Sequence, residues 1–491
     1  MNMRINMGWT GACALALVLG LQGCGGEEDT SSTASQITVN TPAAIAQVSA
    51  DNYDDNVNGL ITESTLKRWK DDWPTERATL GLSGKLIILQ VTAGPAGAEY
   101  IKQDGVNVFT YLSPSSEWIQ TRSNGVIETQ SMVPEGAAMD ALLKKLNIDP
   151  KNDMVVVAMG TGTTGNAMGQ GRIWYALRYW GMDKKNLAIL NGGNQWLDDV
   201  LGLPVELLPG DFQATAATQS VVPGNHSVRE LLVDNTQLQA TMEDLLKVLP
   251  SSDTNVKTDG VFIWDARSVG QYSAGEYAEL GERSCTTAYC DLDDAADYMW
   301  SFQNGGSRQG HPYGTLQLQF TRMLDASKGY AYRAKSELSA MLLGGTNADG
   351  VGFVGSDYQL VGQGNAYQEG DTIYGYCETT FRAMITGVVS AVILGKPTRF
   401  YDGAMVEWNS LSNMRDSNYN FILPSDSPWR TDLKSFFRPA TSYTLVNPRT
   451  IIDPYATSAS AIIDADRVYK IEQPVGSDTG SGSAPTNPCG G

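Results

Sequence analysis

The stretch that decides the fold is Asp371-Thr-Ile-Tyr-Gly-Tyr376-Cys377-Glu-Thr-Thr-Phe-Arg382-Ala383. A short apolar and aromatic run of strand type ends at a cysteine, and a helical pattern follows over 382–394, stopped by Gly395. A second strand over 398–401 leads to a turn at Asp402-Gly403 and then Trp408. Strands of this length joined through a helix predict parallel pairing, because a parallel neighbour needs a crossover of a dozen or more residues.

The same order of elements occurs earlier in the chain. Asp153-Met-Val-Val-Val-Ala158 is a buried-strand run, followed by a Gly/Thr-rich loop, a helical stretch over 168–180 and Gly181. A strand over 187–190, a Gly192-Gly193 turn and Trp196 complete the unit. Upstream of each unit stands one more strand, at 85–90 and at 261–264, the latter running into Asp265-Ala266-Arg267. Helices are expected before them, over 64–72 and 238–249. The repeat predicts an α/β fold with two domains, 40–210 and 228–415, each a central parallel sheet flanked by helices. A linker containing Pro223-Gly224 joins them. Residues 416–473 form an accessory C-terminal segment that packs on the second domain or across both, and 474–491, rich in Gly, Ser and Pro, are expected to be disordered.

The N-terminus has the pattern of an export signal. Arg4 precedes an apolar run over 12–21, shorter than the roughly 20 residues a spanning helix needs. The run ends in Leu21-Gln22-Gly23-Cys24, which resembles the lipobox of bacterial lipoproteins. The resemblance implies a signal peptide over 1–23, lipid attachment at Cys24, a flexible tether over 24–39 and a place in the cell envelope, at the outer membrane, facing the periplasm or the surface. A net charge of -19 argues against nucleic-acid partners and for a globular body held away from anionic lipid. Two histidines are too few for a typical His-rich metal site, and no CxxC pair exists for zinc, so no metal is expected.

Cys377 is the candidate nucleophile. A residue at the C-terminal end of a parallel strand sits where open α/β sheets bind ligands. The first N–H groups of the next helix lack intrahelical partners, and the helix dipole favours a thiolate there. Such a thiolate can attack the outer sulfur of a sulfane donor, hold it as a persulfide and pass it to an acceptor. The bland alternative is a buried, inert cysteine. Aligning the two strands puts Met159, which cannot form a persulfide, in the place of Cys377.

The run Tyr376-Cys377-Glu378-Thr379-Thr380-Phe381-Arg382-Ala383 resembles the active-site loop of rhodaneses. Asp265-Ala-Arg267 resembles their upstream strand end, Arg308-Gln-Gly310-His311-Pro their Gly-His turn, and Tyr401-Asp-Gly403 through Trp408 their closing element. The first half is similar through Gly171-Arg-Ile-Trp-Tyr-Ala-Leu-Arg-Tyr-Trp-Gly181 and Leu190-Asn-Gly-Gly193. The resemblance implies two rhodanese-like domains, an inactive first and an active second, in a thiosulfate sulfurtransferase-like enzyme without a cofactor. It implies Cys377 as persulfide carrier, Glu378, Thr379, Thr380, Phe381 and Arg382 as its loop, and Asp265, Arg267 and His311 as support.

Only four residues separate Cys377 from Arg382, against five in the His-Cys-x5-Arg loop of cysteine phosphatases. The smaller arc suits sulfur or selenium, and Arg382 is assigned to loop and thiolate stabilisation. Three departures bear on the donor. Thr380 stands where many rhodanese loops carry glycine, Glu378 puts a negative charge beside the sulfur, and Gln271 stands where the thiosulfate enzymes carry a substrate-binding arginine. They motivate a second reading: an outer-membrane accessory for selenite handling or an extracellular electron-transfer complex, with little sulfurtransferase turnover.

Three further motifs complete the reading. Cys285 and Cys290 either bridge a short loop or include a resolving thiol for Cys377. Gly160-Thr-Gly162-Thr-Thr-Gly165 spells a dinucleotide fingerprint, but the strand that should end in an acidic residue ends at Leu190-Asn191. Asp54-Asp-Asn56-Val-Asn58-Gly59 resembles half a calcium loop, with Thr65 where the closing glutamate belongs, so a plain turn is expected.

Overall fold

The computed structural model describes residues 37–194, 207, 209–274, 310–415, 420–437 and 449–471. The signal and lipid site at Cys24, Trp196, Cys285, Cys290, Arg308 and the 474–491 tail lie outside them.

Two five-stranded parallel sheets organise the molecule. The first is built from β1 (Gly59–Ile61), β2 (Leu86–Gln90), β3 (Val108–Leu112), β4 (Met154–Ala158) and β5 (Leu187–Leu190) in the order β1-β5-β4-β2-β3. The second is built from β6 (Gln239–Ala240), β7 (Val261–Asp265), β8 (Leu316–Gln317), β9 (Thr372–Tyr376) and β10 (Thr398–Tyr401) in the order β6-β10-β9-β7-β8. The two orders are the same, which makes the internal repeat structural.

Every residue of β2 and β4 is buried, as a parallel sheet covered on both faces requires. Side chains alternate across it. Ile87, Leu89, Val155 and Val157 share one core with Phe262, Trp264 and Ile373 of the second half. Leu86, Ile88, Met154 and Val156 point into a separate core on the outer face. Between the sheets, helix α1 (Thr164–Tyr179) packs on helix α2 (Phe381–Gly387). They approach so closely that a Cβ on Gly171 would lie 2.8 Å from the Met384 Cβ.

The accessory segment lies across both halves. Its helix α3 (Ala461–Ile471) anchors on the first half, where Asp466 pairs with Arg122 at 2.7 Å and accepts from the Tyr179 hydroxyl at 2.7 Å. Ile451 bridges to Ile127. Ser435–Phe436 pairs antiparallel with His311–Pro312 of the second half.

Three boundaries differ from the sequence reading. The helix expected over 238–249 begins only at Met242, because Thr241 and Asp244 form a reciprocal capping box; Gln239–Ala240 is instead the edge strand β6. Helix α1 starts at Thr164, four residues before the expected 168, capped by the Thr163 hydroxyl. The helix expected over 382–394 changes at Gly387 to a π-helix, Val388–Ile393, and the Leu394 N–H reaches back five residues to the Val389 carbonyl. The calcium-like run is a turn: Asn56 donates to Leu60 O and accepts from Ala50 N, and Asp54 accepts from the Thr62 hydroxyl.

Glu407 is buried where the halves meet, taking hydrogen bonds from the Thr129 and Tyr401 hydroxyls, both at 3.0 Å. Burial pushes its carboxyl from the ordinary 4.5 up to about 7. Between those values the unfolded chain gives up a proton that the folded chain keeps. This contribution to stability is therefore complete below pH 4.5 and is lost as pH rises to about 7. Glu407→Gln is expected to flatten that part of a plot of denaturation midpoint against pH. An unchanged slope would assign the dependence to other groups.

Candidate active site

Cys377 directly follows β9, an inner strand paired on one side with β7 and on the other with β10. Met159 follows β4, an inner strand of the first sheet, in the same way, so the first half has no thiol there. Among the described residues Cys377 is the free cysteine, and it has no exposed surface.

The loop over 378–380 is held by the turn after β10 and by the first residues of the helix Ala404–Ser410 that follows it. Met405 N–H donates to Cys377 O and Val406 N–H to Glu378 O, both at 3.1 Å. Thr380 has φ 68° and ψ -14°, the left-handed conformation a glycine adopts freely and that costs other residues about 1–2 kcal/mol. Its buried hydroxyl lies 2.7 Å from Asp402 O and 3.1 Å from Tyr401 O. The threonine thus keeps a left-handed backbone, and the two carbonyls offset its strain. Phe381 opens helix α2, and Thr379 is half-buried beside it.

The upstream Asp265 and Arg267 form one buried ionic group. Arg267 Nη2 lies 2.6 Å from Asp265 Oδ2 and 2.5 Å from Gly310 O, while Nη1 lies 3.4 Å from Glu378. Burial alone would lower the guanidinium's affinity for its proton; the Asp265 charge and hydrogen bonds outweigh it and hold Arg267 above its usual range. The Tyr376 hydroxyl donates to Asp265 at 3.1 Å. Burial first, and then the Asp265 charge, push that phenol well above its ordinary range, so it serves as a donor. Glu378 therefore faces a cation as well as the sulfur's loop.

Arg382, assigned from sequence to the loop and the thiolate, donates to the buried Gln271 at 2.6 Å and ties helix α2 to the Val269–Tyr272 helical turn. His311 braces the Gly310 turn: Nε2 meets Asp253 at 2.9 Å, Nδ1 meets Tyr272 O at 2.7 Å, and the ring stacks on Tyr272 with centroids 3.7 Å apart. Among the described residues no group of three or more His, Cys, Asp or Glu side chains is arranged to hold a metal ion.

The sequence reading missed Arg172 and Asp402. Both are fully buried, and they pair at 2.5 Å between the halves. A charged residue inside the apolar, aromatic run over 171–181 is the signal that could have found the first.

No protein-family model and no curated protein sequence matches the chain. Solved structures similar to it include the Tum1 protein from Saccharomyces cerevisiae, with a TM-score of 0.44 and 14% identity over 72% of this chain and 95% of that one. YnjE is similar with a TM-score of 0.37 and 16% identity, covering 72% and 66% of the two chains. So is the anaerobic ergothioneine biosynthesis enzyme from Chlorobium limicola in complex with trimethyl histidine, with a TM-score of 0.41 and 11% identity over 74% and 70%.

Proposed function

We propose that this two-domain rhodanese-like chain is a sulfurtransferase that carries sulfane sulfur on Cys377. The observation that supports it most is the position of that cysteine, between the end of an inner parallel strand and a short loop leading into a helix. In the first step the thiolate Sγ attacks the outer sulfur of the donor; the donor's sulfur bond breaks, and its leaving group takes the electron pair. In the second, a thiophilic acceptor attacks the outer sulfur of the persulfide, and Cys377 leaves as thiolate. Because Cys377 is covered, the donor reaches it through an opening of its surroundings.

The two arginines that border the loop bear on the donor. Arg267 is engaged by Asp265, Gly310 and Glu378, and Arg382 by Gln271. That arrangement favours a low-molecular-weight or protein-bound persulfide over thiosulfate or selenite, whose charges ask for a cation. The test is cyanolysis of the purified chain after exposure to thiosulfate or to glutathione persulfide. The persulfide is expected to load sulfur faster by about tenfold, the worth of one charge-assisted hydrogen bond to an anion. Equal or faster loading from thiosulfate would overturn the donor preference, and no sulfur from any donor would overturn the sulfurtransferase reading.

The proposed setting is the cell envelope, with the body tethered through a lipidated Cys24. The mass of the mature N-terminal peptide tests it, since acylation adds two or three chains.

A further inference from the structure

The half that lacks a cysteine reaches the loop of the half that has one. Asp402 lies in the turn after β10 and is buried between the halves. Arg172, from the middle of helix α1, grips it with both ends of the guanidinium fork, Nη1 at 2.5 Å from Oδ1 and Nη2 at 3.3 Å from Oδ2. Oδ2 also accepts the Val133 N–H at 2.7 Å. Two groups of the first half therefore fix one carboxylate of the second. The backbone of the segment around it, from the end of β10 to the start of the helix Ala404–Ser410, holds the loop, through the Asp402 and Tyr401 carbonyls on the Thr380 hydroxyl and the Met405 and Val406 N–H groups on Cys377 and Glu378. The Arg172 guanidinium also faces the ring of Phe381, the residue after Thr380, at 5.9 Å from its centroid.

A buried ion pair adds little stability over an apolar pair of the same shape. What a bidentate Arg–carboxylate pair adds is geometry. Here that geometry is passed, through one turn, to the only non-glycine residue of the cysteine loop held at positive φ. We propose that Arg172 is a positioning residue for the Cys377 loop: by anchoring the 401–406 segment it keeps Thr380 left-handed and the loop closed over the sulfur. Under the sulfurtransferase reading, on which this rests, the first half is then a working part of the site.

A double-mutant cycle on the full chain tests it, with Arg172→Lys and Thr380→Gly. The readout is the rate at which iodoacetamide labels Cys377, followed by mass spectrometry of its peptide below the unfolding transition. Labelling needs no sulfur donor, so the result is independent of whether Cys377 carries a persulfide. A covered thiol is labelled through opening, and loosening the anchor raises the open population. Arg172→Lys is expected to speed labelling about tenfold in the parent chain and only about threefold in Thr380→Gly, where the hydroxyl link is cut and the Met405 and Val406 N–H bonds alone tie the loop. Effects that multiply independently, or equal rates in all four chains, would overturn the proposal. Should Arg172→Lys not fold, Asp402→Asn, which keeps the shape and one acceptor oxygen, takes its place in the same cycle with the same two outcomes.

Discussion

Chains carrying Cys377→Ser or Cys377→Ala are expected to take up no cyanolysable sulfur, a loss of about a thousandfold or more, as when a covalent nucleophile is removed. The pair of variants separates the functional thiol from an inert one. Cys377 sits among apolar neighbours such as Ala383 and Met384 and has no exposed surface. Serine puts a hydroxyl there at a cost of about 1–3 kcal/mol if it finds no partner, whereas alanine leaves only a small void. Their melting midpoints should therefore differ while their sulfur uptake is equally absent. If both variants load sulfur like the parent, the cysteine is core packing and the site is elsewhere.

The second large effect is structural. Arg267→Met removes the cation facing Asp265, a carboxylate with no exposed surface, and also leaves Gly310 O without its 2.5 Å donor. Breaking a buried pair by taking away one partner costs about 3–5 kcal/mol, because the other charge stays uncompensated. The expected result is a lowered denaturant midpoint with part of the loss recovered in Asp265→Asn/Arg267→Met, where the orphan charge is gone. A single variant as stable as the parent would mean that Asp265 takes up a proton or finds another cation.

Much of this was legible in the sequence, and the rest was hidden for physical reasons. The strands over 153–158 and 371–376 announce themselves because both faces of a parallel sheet are buried: Met154 to Ala158 is apolar throughout, and Ile373 to Tyr376 is apolar and aromatic. The cysteine's place at a strand end follows from the same pattern. Helix α1 starts before the expected 168 because Gly160, Gly162 and Gly165 read as loop residues, whereas Gly169 and Gly171 fall inside the expected helix. In the structure Gly169 and Gly171 are helical and stand where a Cβ would come within 2.9 Å of Val91 and 2.8 Å of Met384. Tertiary packing overrode local preference. Thr380 could be seen as an odd residue in a glycine's place, but not that two carbonyls 21 and 22 residues away hold it there. Arg172 and Asp402 are separated by 230 residues, and nothing local to either points to the other.

Helix α3 has a consequence for how the molecule forms. Asp466 binds Arg122 across 344 residues, and Lys470 donates to Val233 O across 237. The first half's flank is thus completed by residues made long after it. Contacts so distant along the chain carry a large loop-closure cost and slow the search for the native state. Until residue 471 arrives, the first half has a buried-type arginine and an aromatic face at Tyr179 and Trp180 without their partner. A chain cut before residue 461 is therefore expected to leave that face of the first half open, and its first half to be cleaved by protease sooner than in the full chain.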